Sequence, residues 1–170
     1  MVLGMSLATF TLLHVIISLV GIATGFVVVA GMLRADRLAT WTAVFLATTV
    51  LTSVTGFLFP FERLLPSHVF GVISLVVLAL ALIGLYAFKL AGRWRWIYVV
   101  TAMIALYLNT FVGVVQAFLK IAPITSLAPT QSEPPFAIAQ LVVLVTFIVL
   151  GVMAVRSFRP KAGTPALGAL

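Results

Sequence analysis

A chain of 170 residues that is 64% hydrophobic and 8% charged lies far outside the soluble range of about 25% charged residues. Its mean hydropathy of +1.31 is that of a polytopic membrane protein. Cysteine is absent, which excludes disulfides, thiolate nucleophiles, iron-sulfur clusters and cysteine-based zinc sites. The net charge of +7 reflects basic residues that hold loops at a membrane surface, so no nucleic-acid partner is expected.

A hydrocarbon core about 30 Å thick needs roughly 20 apolar residues per helix. Five stretches meet that length, and the predicted helices are 7–33, 41–59, 69–90, 96–119 and 136–155. The first contains no Lys or Arg before Arg34 and is too long for a signal-peptide core, so it reads as a retained helix. Strands are ruled out: the runs lack strict alternation, and an open sheet leaves edge groups unpaired in lipid. The expected fold class is therefore all-α, a polytopic membrane helix bundle with a single domain over 1–159. The tail 160–170, "PKAGTPALGAL", has the composition of a disordered end.

The connecting segments assign an orientation. Arg34, Arg37, Lys89, Arg93, Arg95, Arg156, Arg159 and Lys161 fall on one side, and only Arg63 and Lys120 on the other. This split predicts a cytoplasmic C-terminus and a periplasmic N-terminus, with Trp41, Trp94 and Trp96 as belt residues on the basic side. The outward loops are then 60–68 and 120–135. The second, "KIAPITSLAPTQSEPP", carries four prolines and is expected to be stiff and without regular structure.

No Asp or Glu falls inside a predicted span, which argues against proton-coupled transport. The polar residues gather in the outer half: His14 and Ser18 on the first helix, Thr52, Ser53 and Thr55 on the second, His68 opening the third. Gln116 lies near the outer end of the fourth helix and Gln140 near that of the fifth; Asn109 is close to mid-membrane. His14, Ser18, Gly21 and Gly25 follow i, i+4, i+7, i+11 and so share one helix face, which includes the GxxxG pair Gly21 and Gly25. Ala105, Asn109, Gly113, Gln116 and Lys120 form a similar stripe. Both faces should point into the bundle. The plain reading is a pair of packing seams with interhelical hydrogen bonds, and a structural role for His14.

Functional readings compete with that one. His14, His68, Asn109, Gln116 and Gln140 are candidate ligand-binding residues: polar anchors in an apolar pocket for a small molecule, lipid, quinone or cofactor. His14 and His68 are candidate axial ligands of one haem b, which requires the two imidazoles to face each other across the iron. His14, His68 and Glu62 are a candidate metal set of the His2Glu type with an open position, although Glu62 also reads as a solvated loop charge beside Arg63. A scaffold or accessory role is the other alternative, with a membrane-protein partner or a second copy packing on the small-residue seams. Nothing resembles a hydrolase triad, a phosphate-binding loop or a dinucleotide fingerprint, so no catalytic residue is assigned.

The stretches "LPSHVFGVISLVVLAL", "RWRWIYVVTAMIALYLNTFVGVVQAFLK" and "APTQSEPPFAIAQLVVL" resemble those of a group of small uncharacterised bacterial inner-membrane proteins. The resemblance runs from about His14 to Arg159. It implies a compact helical protein of a bacterial inner membrane and brings no catalytic residues with it.

Overall fold

A computed structural model describes residues 2–60 and 66–159. Glu62, Arg63 and the 160–170 tail lie outside the described residues. The chain forms α1 (Leu7–Leu33), α2 (Ala39–Gly56), α3 (Pro66–Leu82), α4 (Trp94–Lys120), a short α5 (Ala122–Thr125) and α6 (Pro134–Ser157). Among the described residues, five helices are long and apolar enough to cross a membrane. In hydrocarbon each backbone donor must find its acceptor within its own segment, and these apolar runs do so as helices. The protein is a multi-pass membrane helix bundle.

Helix ends depart from expectation for local reasons. α2 stops at Gly56 instead of continuing to 59. The Phe57 and Leu58 amides bond back to Val54 and Thr55 carbonyls at 3.1 Å each, a tightened last turn, and Pro60 disfavours helical backbone at Phe59. α3 begins at Pro66, and its last turn widens into a π-turn over Ile83–Ala87, closed by the Phe88 amide on the Ile83 carbonyl at 3.0 Å. The second predicted loop is not wholly irregular. α5 forms with a proline in its first turn, where a missing N–H costs nothing. Behind it the Glu133 carboxylate accepts from the Thr130 amide and hydroxyl and from the Ser132 amide. The Gln131 side-chain amide donates to the Val115 carbonyl at 3.0 Å and ties this loop to α4.

α4 is the central helix, packing against α1, α2, α3, α5 and α6, while α6 rests on α4 and α1. The topology puts the N-terminus, residues 57–60 after α2 and the 121–133 loop at one end, termed the histidine end. The 34–38 and 88–93 turns and Phe158 lie at the other, the basic end, together with Trp41, Trp94 and Trp96. The main apolar cluster lies in the basic half, while Phe10, Phe118 and Ala128 are buried separately in the histidine half. The main cluster is built from Val28 and Met32 of α1, Phe45 and Leu46 of α2, Leu78 of α3, Tyr98 to Leu106 of α4, and Phe147 and Ala154 of α6.

The GxxxG pair explains this concentration. A Cβ at Gly25 would sit 2.4 Å from Leu106 Cδ1 and 3.0 Å from Phe45, so α1, α2 and α4 meet there at backbone distance. At Gly21 the nearest atoms are the Asn109 side-chain nitrogen and Thr48 hydroxyl at 3.2 Å and the Thr49 hydroxyl at 3.3 Å. The seam passes from apolar to polar within one helical turn.

At the basic end, Arg95 closes the C-terminus of α6. Its Nη1 donates to the Phe158 carbonyl at 2.6 Å and the Val155 carbonyl at 3.1 Å, and its charge opposes the helix dipole. Arg95→Met is expected to cost about 1–2 kcal/mol. The check is a lower melting temperature in detergent together with faster proteolysis near Phe158; unchanged values for both would contradict the capping role.

Candidate functional site

In the histidine half the helices separate around an open space. Going towards that end, the α1 stripe runs from buried Gly25 and Gly21 to half-buried Ser18 and His14, and the α4 stripe from buried Ala105 through half-buried Asn109 and Gly113 to exposed Gln116 and Lys120. The two stripes therefore diverge like the sides of a wedge.

Two adjoining spaces result. An inner chamber of about 110 Å³ is bounded by α2, α3 and α4, with Ser53, Phe57, Phe70 and Ser74 in its wall. A wider cleft of about 440 Å³ lies between α1 and α4, with Val15, Leu19, Ile22, Gly113, Gln116 and Lys120 along it. Both spaces are lined by His14, Thr52, Gly56, His68, Asn109 and Val112. Leu19 is 59% exposed, so the cleft opens on the lipid-facing surface of the bundle.

His14 is held by α2. Its Nδ1 lies 2.8 Å from the Thr55 hydroxyl, and that hydroxyl directs its single proton to the Leu51 carbonyl at 2.6 Å. With that proton on the carbonyl, Thr55 accepts from His14, and the hydrogen-bond network assigns the neutral ring as the Nδ1–H tautomer with Nε2 a lone-pair acceptor. The Phe59 ring meets the imidazole edge-on at 5.2 Å and steadies it. A His14→Ala, Thr55→Val double-mutant cycle is expected to return a coupling of about 0.6 kcal/mol, as for interhelical hydrogen bonds in other membrane bundles. A coupling of zero in thermal unfolding would sink the His14–Thr55 hydrogen bond.

His68 is buried and lies beside the Phe57 ring at 5.8 Å. Ser53 and Ser74 pair their hydroxyls at 3.0 Å across α2 and α3. Thr52 and Asn109 are different. The Thr52 hydroxyl and the Asn109 side-chain nitrogen are buried with no hydrogen-bond partner among the described residues, and both residues line both spaces. A buried unpaired polar group costs about 1–3 kcal/mol, so sites that retain one call for an explanation.

Of the five residues expected to bind a ligand, His14, His68 and Asn109 share both spaces and Gln116 lines the cleft. Gln140 lies elsewhere: its Nε2 donates to the Phe111 carbonyl at 3.2 Å in the seam between α4 and α6, and it lines neither space. Phe59 and Pro60 line the cleft from the first loop, whereas the 121–133 loop adds nothing to either lining. Among the described residues no three His, Asp or Glu gather to hold a metal ion, and Glu62 is not one of those residues.

Sequence reasoning missed Thr52 as an anchor and Thr55 as the partner of His14. The signal was present in "TTVLTSVTG", where Thr48, Thr52 and Thr55 follow i, i+4, i+7 on one face. No protein-family model, no curated protein and no solved structure matches this chain. What the chain can do must therefore be argued from these side chains.

Proposed function

We propose that this protein binds a small lipophilic molecule in the histidine half of its bundle, with Asn109, Thr52, His14, His68 and Gln116 as polar anchors in an otherwise apolar site. The observation that carries this reading is the pairing of cavity and unmet need. Three buried side-chain atoms lack partners among the described residues, and two of them, Thr52 Oγ1 and Asn109 Nδ2, border one cavity. A ligand that accepts from both would remove the penalty of each. The uneven distribution of basic residues supports an orientation with this half on the periplasmic side of a bacterial inner membrane and the C-terminus in the cytoplasm.

Native mass spectrometry of protein released from lipid tests the proposal. Wild type is expected to retain a bound lipophilic mass that Asn109→Leu lacks. Identical spectra for the two proteins would remove the proposal's support. The same preparations report on haem: a Soret band lost in both His14→Ala and His68→Ala would instead put the two imidazoles on iron.

A further inference from the structure

We infer that the ligand is a planar carbonyl-bearing ring of the benzoquinone class with a hydrocarbon tail, and that it reaches the chamber sideways from the bilayer between α1 and α4. This inference rests on the binding reading above and adds the chemistry of head and tail.

The head is set by the donors and the walls. As the amide is oriented, Asn109 Nδ2 donates, and the Thr52 hydroxyl can donate or accept, so a guest that bears acceptors satisfies both. Carbonyl oxygens on a ring supply two acceptors in fixed positions. Among the described residues no carboxylate lines either space, and these residues offer a cationic head no counter-charge. The only formally charged lining group among the described residues, outside the histidines, is Lys120, at the exposed end of the cleft. An anionic head would have to leave that lysine and desolvate to reach Asn109, whereas a neutral carbonyl pays no such cost. Four of the residues that line the chamber carry rings, Phe57, Phe70, His14 and His68, and flat aromatic neighbours favour a flat guest. Its volume of about 110 Å³ is below the about 150 Å³ of a cavity that takes up benzene, so a ring seated here reaches into the adjoining cleft of about 440 Å³. Ring substituents extend into the adjoining cleft.

The tail is set by the cleft. Beyond Asn109 its sides are Val15, Leu19 and Ile22 on α1 and Val112 and Gly113 on α4, and Leu19 faces lipid. A chain lying along this path stays within apolar surface from the ring to the bilayer. Gly113 keeps the path open: a Cβ there would already come within 3.3 Å of Ile22 Cδ1.

The test uses the full chain in detergent micelles and isothermal titration against empty micelles. The probes are 2,3-dimethoxy-5-methyl-1,4-benzoquinone with and without a 6-decyl tail, and dodecanoate and dodecanol as tailed molecules without a ring. The decyl quinone is expected to bind saturably, the tail-less ring at least about tenfold more weakly, and neither dodecyl compound to displace it. Leu19→Trp, at a lipid-facing position that the fold tolerates, and Gly113→Leu are each expected to weaken the decyl quinone about tenfold while changing the tail-less ring by less than about threefold. Binding of a dodecyl compound without binding of the quinone would overturn the ring class and leave the pocket reading standing. No binding of any probe, with no co-purifying mass in wild type, would overturn both. Quinone binding untouched by both cleft variants would overturn the sideways path.

Discussion

Replacing Asn109 with leucine raises the melting temperature of the ligand-free protein and removes its ability to hold a ligand. The two effects have one cause. Asn109 Nδ2 is buried without a partner among the described residues at the boundary of chamber and cleft, and an unpaired buried donor costs about 1–3 kcal/mol. Leucine has nearly the shape of asparagine and no donor to satisfy, so the penalty disappears while the packing against Gly21 is kept. A residue whose purpose was structural would behave in the opposite way, losing stability on substitution. Thr52→Val is expected to act in the same direction, with a smaller gain because a hydroxyl rotates and is cheaper to leave unmet. Thermal unfolding of the two variants, each with and without bound lipophilic molecule removed by detergent exchange, checks the sign. A fall in melting temperature for Asn109→Leu in the empty protein would show that the amide is satisfied after all.

The second large effect lies at the other end of the same seam. Gly25→Ala places a methyl group 2.4 Å from Leu106 Cδ1, far inside contact distance, and Gly25→Leu adds three more carbons to that space. Overpacking of this kind costs about 1–3 kcal/mol for the smaller change and more for the larger. Because the closest clash falls on the tip of Leu106, with Phe45 next at 3.0 Å, Leu106→Ala in the Gly25→Ala background is expected to restore most of the loss. Melting temperatures of the single and double variants read this directly. An additive double mutant, with no recovery, would mean that the helices do not meet at Gly25. The Gly25 crossing also supports the site: α1 and α4 touch below it and diverge above it, so a shift there closes or widens the cleft. Gly25→Ala should therefore weaken ligand retention as well as stability.

Much of this was legible in the residues because the bilayer imposes its dimensions. A span needs a fixed length of apolar chain, and α1 begins and ends at the expected residues for that reason. The ends of α2 and α3 were less legible, since Pro60 and the widened turn over Ile83–Ala87 act locally, against a hydropathy that continues past them. The α1 stripe from His14 to Gly25 was readable from helical spacing alone, which also placed Asn109 and Gln116 correctly relative to it. The partner of His14 was not. Which hydroxyl of α2 meets the imidazole depends on the rotation of one helix about its axis relative to another, and a run of threonines and serines on every side of α2 leaves that rotation open. Gln140 shows the same limit: its depth matched the other polar residues, yet α6 turns it towards the Phe111 carbonyl. The short helix α5 escaped notice because prolines were read as stiff extended chain, when a proline in the first turn also starts a helix.

The central claim is that the space between His14, Thr52, His68 and Asn109 is a ligand site and not a packing defect. An experimental structure of the protein extracted with its native lipid, at a resolution that shows individual ligand atoms, tests it most directly. Non-protein density is expected within hydrogen-bond distance of Asn109 Nδ2 and Thr52 Oγ1, continuing along Val15 and Leu19 to the lipid face. A chamber closed by movement of α2 towards α4, with the Asn109 amide bonded to a protein carbonyl, would contradict it.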